Sequence, residues 1–379
     1  MPGDTVRLAV VHWFPVEQFP PVQNLLSVAS ADPQLDVCCL TTANDRGLPS
    51  FEACPAEIHR RTFPSRSLRR LQRLWLLLSF PWWALWRLMS FRPDALLYFE
   101  PHSSAAAFLY LLINRRCRLL VHYHEYREPK EYRDPGNRLF GFYHWLEKRF
   151  LYHRAIWISH TNADRVRLFL KDAPQAPTDK LRVLPNYPPQ VWQSSFHKRP
   201  GLREPLKLVY VGAASVRDTF IGEVVEWVLQ QPREKVSLAV YVNNCDVQTE
   251  QLLQLAAESG VVVVPGGVAY QQLPDVLSQY HVGLILYRGN TPNYVYNAPN
   301  KLFEYLACGL DVWYPGCMLG ITPYARTNAA PRVVETDFEK LELPNFVVCP
   351  GLDLPWHPWT DSCENVLQPL LKTIKVRER

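Results

Sequence analysis

The sequence predicts an α/β protein built as two lobes in tandem, and three observations carry that expectation. Apolar, β-branched-rich runs alternate with amphipathic stretches, the pattern of mostly parallel sheets covered by helices. The alternation stops at a Pro-rich connector and then starts again. The 379 residues are enough for two domains of ordinary size, each with its own core.

In the first half a strand reads from Val6 to His12 with Arg7–Val11 as its centre, and others at Leu35–Leu40, Ala95–Phe99, Arg118–Tyr123, Ala155–Ile158 and Leu181–Leu184. Helical stretches fall at Ser104–Asn114 and Ala163–Lys171. The connector runs from Asn186 to about Pro205 and holds Pro188, Pro189 and Pro200. Beyond it, strand Leu206–Val211 ends in Gly212, and helix Phe220–Leu229 follows. Strand Ser237–Val242, helix Gln248–Glu258, strand Val261–Val264, a helix around Gln271–Tyr280 and strand Val282–Tyr287 complete the second series. Ser362–Lys375 has helical spacing through Val366, Leu370, Leu371 and Ile374. The expected division is a Rossmann-like lobe over 1–195, a second over 196–355, and a C-terminal helix over 356–379 packing back on the lobes.

A hydrophobic content of 47% and a charged content of 20% fit a globular protein and exclude a disordered one. A net charge of +5 is too mild to point to nucleic acid, and no basic-aromatic nucleic-acid module accompanies it. Nine Cys, an odd number without a C-x-x-C pair, suit a reducing cytoplasm better than a disulfide framework. The first strand stands where an export leader would need a basic start and an apolar run, so a cytoplasmic location is expected.

Arg60, Arg61, Arg66, Arg69, Arg70 and Arg73 crowd before an apolar stretch, Leu74–Trp86, that Ser79 and Pro81 interrupt. A membrane span takes roughly 20 residues, so this one is too short to cross. Two readings stand. One is a surface patch, with Trp82, Trp83 and Trp86 near lipid headgroups and Arg69, Arg70 and Arg73 on anionic lipid, peripheral on the inner face of the membrane. The other is a partly buried helix pair with a solvated Arg face.

The most informative stretch is Asn297-Ala-Pro-Asn-Lys-Leu-Phe-Glu-Tyr-Leu-Ala-Cys-Gly309. Asn297 and Pro299 suit a helix start, and Gly309 a helix stop. The helix follows the strand Val282–Tyr287, and ligands bind beyond strand ends in open α/β sheets, with helix starts favouring anions. Lys301 and Glu304 share a helix face, one suited to phosphate and the other to a pair of ribose hydroxyls. Spacing alone leaves an ordinary surface ion pair as the alternative.

The run Asn300-Lys-Leu-Phe-Glu-Tyr-Leu-Ala-Cys-Gly-Leu310 resembles the nucleotide-sugar signature of retaining GT-B glycosyltransferases of the family-4-like type. Leu184-Pro-Asn-Tyr-Pro188, Val209-Tyr-Val-Gly212 and Trp145-x-Glu147 extend the resemblance along the chain. It implies a GT-B fold, two Rossmann-like β/α/β lobes with an interlobe cleft, the first on the acceptor side and the second on the nucleotide-sugar side. It further implies that Glu304 holds the ribose and that amides around Pro299, Asn300 and Leu302 hold the diphosphate, with Asn297, Lys301, Gly212 and Arg217 around it. Two positions depart from the family: Tyr296 stands where many members have a Glu, and no Lys follows Arg217.

Val121-His-Tyr-His-Glu-Tyr126 ends a strand of the first lobe and is similar to a His-Glu pair of the family. The resemblance makes His124 the contact to the donor sugar, with Glu125 orienting an acceptor hydroxyl or the imidazole; both are the catalytic candidates. His122 is expected to face away from His124. Strand-end histidines satisfied by backbone carbonyls are the alternative. His12, Trp13 and Phe14 close the first strand and read either as an aromatic acceptor pocket or as a hydrophobic lobe edge.

No HxxH, HExxH or Asp-x-Asp spacing occurs, so no metal and no cofactor beyond the sugar nucleotide is expected. The expected function is retaining, metal-independent transfer of a sugar to an acceptor hydroxyl, on a lipid-linked saccharide or polysaccharide precursor. Two alternatives remain: a non-catalytic nucleotide-sugar-binding or scaffold subunit of a membrane-associated glycan assembly, and a sugar-nucleotide epimerase of the same fold.

Overall fold

The computed structural model describes residues 5–43, 49–53, 55–62, 70–198, 205–341 and 354–376. The chain forms two compact units, Met1–Pro185 with Cys363–Arg379, and Asn186–Ser362. This differs from the boundary drawn at 195/196, because Trp192, in the 3-10 segment Gln190–Lys198, is buried in the core of the second unit.

Among the described residues the first unit holds a seven-stranded parallel sheet. Its strands are β1 (Val6–His12), β2 (Leu35–Thr42), β3 (Glu57–Arg61), β4 (Ala95–Phe99), β5 (Arg118–Tyr123), β6 (Ala155–His160) and β7 (Leu181–Val183). They lie in the order β3-β2-β1-β4-β5-β6-β7, so the direction of winding reverses between β1 and β4. Helices α1 (Pro20–Ser30), α2 (Arg70–Phe91), α3 (Glu100–Ile113), α4 (Pro129–Arg133), α5 (Arg138–Leu146) and α6 (Ala163–Asp172) connect them. Alternation along β1 splits its side chains between two cores: Leu8 and Val10 meet Leu25 and Leu26 of α1, whereas Ala9 and Val11 meet Phe80 and Leu88 of α2.

The apolar stretch is one helix, not the helix pair of the second reading, and it runs through Pro81. A proline inside a helix leaves the carbonyl four residues earlier without its partner. Here that carbonyl is Leu77 O, and the hydroxyl of Tyr143 donates to it at 2.9 Å. Among the described residues no helix is long and apolar enough to cross a membrane.

The second unit repeats the plan with strands β8 (Leu206–Ala214), β9 (Val236–Cys245), β10 (Val262–Pro265), β11 (Val282–Leu284), β12 (Asp311–Tyr314) and β13 (Val333–Glu335). The order is β10-β9-β8-β11-β12-β13, all parallel, with the reversal between β8 and β11. Helices α7 (Ile221–Leu229), α8 (Val247–Glu258), α9 (Leu273–Leu277), α10 (Pro292–Val295) and α11 (Asn300–Ala307) surround it. Both units are Rossmann-like. The C-terminal stretch splits into α12 (Cys363–Val366) and α13 (Gln368–Lys375), with Pro369 starting the second piece. Leu370, Leu371 and Ile374 are buried in the first unit's core, and Lys375 pairs with Asp32 at 2.7 Å.

Candidate functional site

Helix α11 sits just beyond the point where the second sheet reverses. Its N-cap is Pro299 and no side chain caps it, so its first turn offers backbone N–H donors. Its far end closes as a Schellman motif: Gly309, at φ 79, lets its own N–H reach Leu306 O at 3.0 Å and that of Leu310 reach Tyr305 O at 2.9 Å. The Tyr305 ring lies against Gly283 of β11, and its hydroxyl accepts the Val211 N–H of β8 at 3.2 Å. The helix is therefore pinned to both strands that flank the reversal.

Glu304 is 1% exposed and forms an ion pair with Lys301 one turn earlier. Its other oxygen, Oε1, is buried and has no hydrogen-bond partner among the described residues. Leu302 fills the core beneath, and Pro299 is buried. Asn297 and Asn300 are half-buried, as is Tyr296. The loop before the helix is held by Gly320, where a Cβ would stand 2.6 Å from the Asn297 carbonyl group, and whose N–H bonds Val295 O at 3.0 Å.

The loops that leave β8 and β11 are stitched together. Phe220 N–H bonds Leu286 O at 2.8 Å, Arg288 N–H bonds Asp218 O at 3.0 Å, and the Asn290 amide reaches Arg217 O at 3.2 Å. Gly212, at φ 145, sits where the β8–β9 register slips by a bulge. Arg217 points its side chain into solvent, with Nε 3.9 Å from Asp218. The cation built into this corner is instead Arg288, which pairs with Glu223 and lies over Phe220 at 4.3 Å. A cleft of about 700 Å³ lined by Val216, Glu223, Leu252 and Arg288 opens beside α7 and α8, and Lys301 and Glu304 do not line it.

In the first unit the reversal edge is aromatic. His12 is fully buried between Phe19, Phe99 and His124, and its Nδ1 lies 2.7 Å from Phe14 O. Burial lowers its pKa to about 4, leaving a neutral ring. Trp13 stacks on His102 and Phe14 meets the same ring edge-on. His124 is buried and stacks on Phe99 at 5.0 Å, while Glu125 is exposed. His122 does not face away from His124: the two rings are 4.8 Å apart, because residues two apart in a strand share a face. Burial lowers the His122 pKa to about 3, and its Nδ1 lies 2.8 Å from Ser159 Oγ.

Two residues that sequence reasoning passed over hold this edge. Glu100, 5% exposed, accepts the N–H of His124 at 2.7 Å and of Glu125 at 3.2 Å through one oxygen, Oε1. Burial, with exposed Glu125 nearby, raises its pKa to about 8. Arg165, 2% exposed, donates to His124 O and to Thr161 Oγ1. A Glu directly after an apolar strand was the available signal for the first; nothing in the spacing marked the second.

Among the described side chains of α2 the large exposed apolar ones are Trp75, Leu78, Trp82, Trp86 and Met89, one helical stripe. Trp83 is not part of it; it packs on the core between β strands and α2. Arg87 lies over the Trp86 ring at 4.8 Å and Arg61 over Trp75 at 5.5 Å. Arg69 lies outside the described residues, and of Arg70 and Arg73 the helix backbone alone is described.

Residues 23–187 match the family model described as a glycosyl transferase 4-like domain. No curated protein matches the chain in sequence. HepE of Anabaena, crystallised with UDP and glucose, superposes with a TM-score of 0.60 at 11% identity, over 90% of this chain and 89% of its own. Sucrose-phosphate synthase of Thermosynechococcus elongatus gives 0.57 at 17%, over 97% and 90%. A UDP-GlcNAc 2-epimerase of Neisseria meningitidis, bound to UDP-GlcNAc, gives 0.51 at 13%, over 82% of each chain. Residues 23–187 thus carry the glycosyl transferase 4-like pattern, and the chain as a whole has the two-lobed fold of the GT-B glycosyltransferases.

Proposed function

We propose that this protein moves a sugar from a nucleoside diphosphate sugar to an acceptor hydroxyl, with retained configuration and without a metal. One observation carries the reading: a buried carboxylate, Glu304, paired on one side with Lys301 and unpartnered on the other, lies one turn into an uncapped helix at the reversal of a Rossmann-like sheet. The carboxylate suits two ribose hydroxyls, and the N–H groups near Pro299 and Asn300, with Lys301, suit the diphosphate. Charge developing on the leaving diphosphate would be met by donors already in place. Arg217 would have to swing in from solvent to join them. His124 and Glu125 are the residues assigned to the transferred sugar and the acceptor, with half-buried Trp13 and Phe14 as an aromatic wall and His12, wholly buried, behind it.

The test is binding of UDP, GDP and dTDP to wild type and to Glu304→Ala. Loss of affinity of about tenfold or more is expected, as for a ribose losing two charge-assisted hydrogen bonds. Equal affinity would remove the assignment. Nucleotide release from a panel of sugar donors, with and without EDTA, then reads turnover and metal independence. Binding without release favours the non-catalytic subunit, a reading supported by Tyr296 and the solvent-facing Arg217. Epimer formation favours the epimerase.

The acceptor belongs to the same proposal: a lipid-linked saccharide or polysaccharide precursor, met on the cytoplasmic membrane surface. The exposed Trp75, Trp82 and Trp86 stripe, with Arg61 and Arg87 against its rings, supports it.

A further inference from the structure

The backbone at His124 is gripped from both sides by buried side chains. Glu100, the first residue of α3, takes its N–H and the next one; Arg165 of α6 donates to its carbonyl. Glu100 does this from a backbone of φ 60, a left-handed conformation that costs a non-glycine residue energy. A folded chain keeps such a residue where its surroundings determine it fully. Two features would be unneeded if Glu100 only filled space: the strained backbone and the single oxygen shared by two successive amides.

We propose that Glu100 is a positioning residue, holding the His124-Glu125 segment so that the imidazole and the carboxylate keep fixed places at the end of β5. This rests on the reading above that the segment acts on the donor sugar and acceptor. Glu100 itself touches neither. Its carboxyl oxygen replaces the neighbouring strand that these two amides, past the end of β5, no longer have. Arg165 opposes it, so the peptide cannot rotate to satisfy one partner without losing the other.

Glu100→Gly removes the carboxyl and accepts φ 60 without strain, so the fold is kept; Glu100→Gln keeps an oxygen that accepts both N–H groups. Backbone hydrogen exchange read by mass spectrometry on the peptide spanning residues 121–127 should speed by about tenfold or more in Glu100→Gly and stay near wild type in Glu100→Gln. With the best donor among UDP-glucose, UDP-galactose, UDP-N-acetylglucosamine, GDP-mannose and dTDP-glucose, kcat should fall about ten- to hundredfold in Glu100→Gly at nearly constant donor KM, and Glu100→Gln should restore most of it. Unchanged exchange in Glu100→Gly overturns the clamp. Faster exchange with unchanged kcat, or a Gln variant as poor as Gly, overturns the positioning role. If wild type turns over no donor, the transferase reading fails, and exchange alone decides the clamp.

Discussion

The ring of Tyr305 rests against Gly283 so closely that a Cβ on the glycine would stand 2.2 Å from ring carbon Cδ2. Gly283 is paired to β8 on one side and β12 on the other, so the strand has little room to yield. Gly283→Ala should therefore push Tyr305, and α11 with it, off the sheet. A loss of roughly 1–3 kcal/mol is expected, read as a lower Tm, together with weaker nucleotide binding. A variant as stable as wild type would show that Tyr305 can swing aside.

Asp311 and Arg332 tie β12 to the residue before β13 with both side chains buried and three hydrogen bonds of 2.6–2.8 Å. Asp311→Ala takes the paired carboxylate and three hydrogen bonds from buried Arg332, and should cost roughly 3–5 kcal/mol. Replacing both with apolar residues should cost less than the sum of the single changes. Urea midpoints of the two single variants and the double variant give the comparison.

His144 lies between Asp172 at 2.7 Å and Glu147 at 3.1 Å. Burial alone would lower its pKa, but the hydrogen bonds to Asp172 and Glu147 outweigh it and raise the value from 6.5 to about 8. The folded state then holds the proton more tightly than the unfolded one. The stabilisation, on the order of 2 kcal/mol, is full below about pH 6.5 and is lost as pH rises through about 8. Urea midpoints across that window should fall in wild type and flatten in His144→Gln.

Tyr143→Phe leaves the Leu77 carbonyl, already without a helical partner because of Pro81, with none. A loss of roughly 1–3 kcal/mol is expected. Pro81→Ala in the same background restores a backbone N–H and should recover part of it, by thermal melting.

If the α2 stripe meets a membrane, wild type should float with anionic liposomes and a Trp75, Trp82, Trp86→Ala triple variant should not. Equal flotation of the two removes the membrane reading. Salt should weaken wild-type flotation if Arg61 and Arg87 contribute.

Strands buried on both faces and set in long apolar runs were legible in the sequence. Ala95–Phe99 and Arg118–Tyr123 stand as read, because a strand covered on both faces must be apolar throughout. β3 escaped because Glu57-Ile-His-Arg-Arg61 is an edge strand of polar residues. β12 and β13 were not read either; they are four and three residues long, as short as β7 and β11, which were. The start of α11 and the pair Lys301 and Glu304 were visible as a local pattern. What pins that helix was not: Gly283 and Tyr305 are distant in sequence and meet through packing alone. Glu100 was marked only by its place directly after an apolar strand; its left-handed backbone and its reach to His124 have no local signature.

The return of α13 to the first unit has a consequence for how the molecule is made. Leu370, Leu371 and Ile374 leave the ribosome after the whole of the second unit, yet they complete an apolar surface made from residues near the start. The first unit must therefore wait, partly uncovered, while its neighbour is synthesised. A fragment ending near Pro185 would keep that surface bare and should clump, whereas supplying residues 363–379 in trans should rescue it.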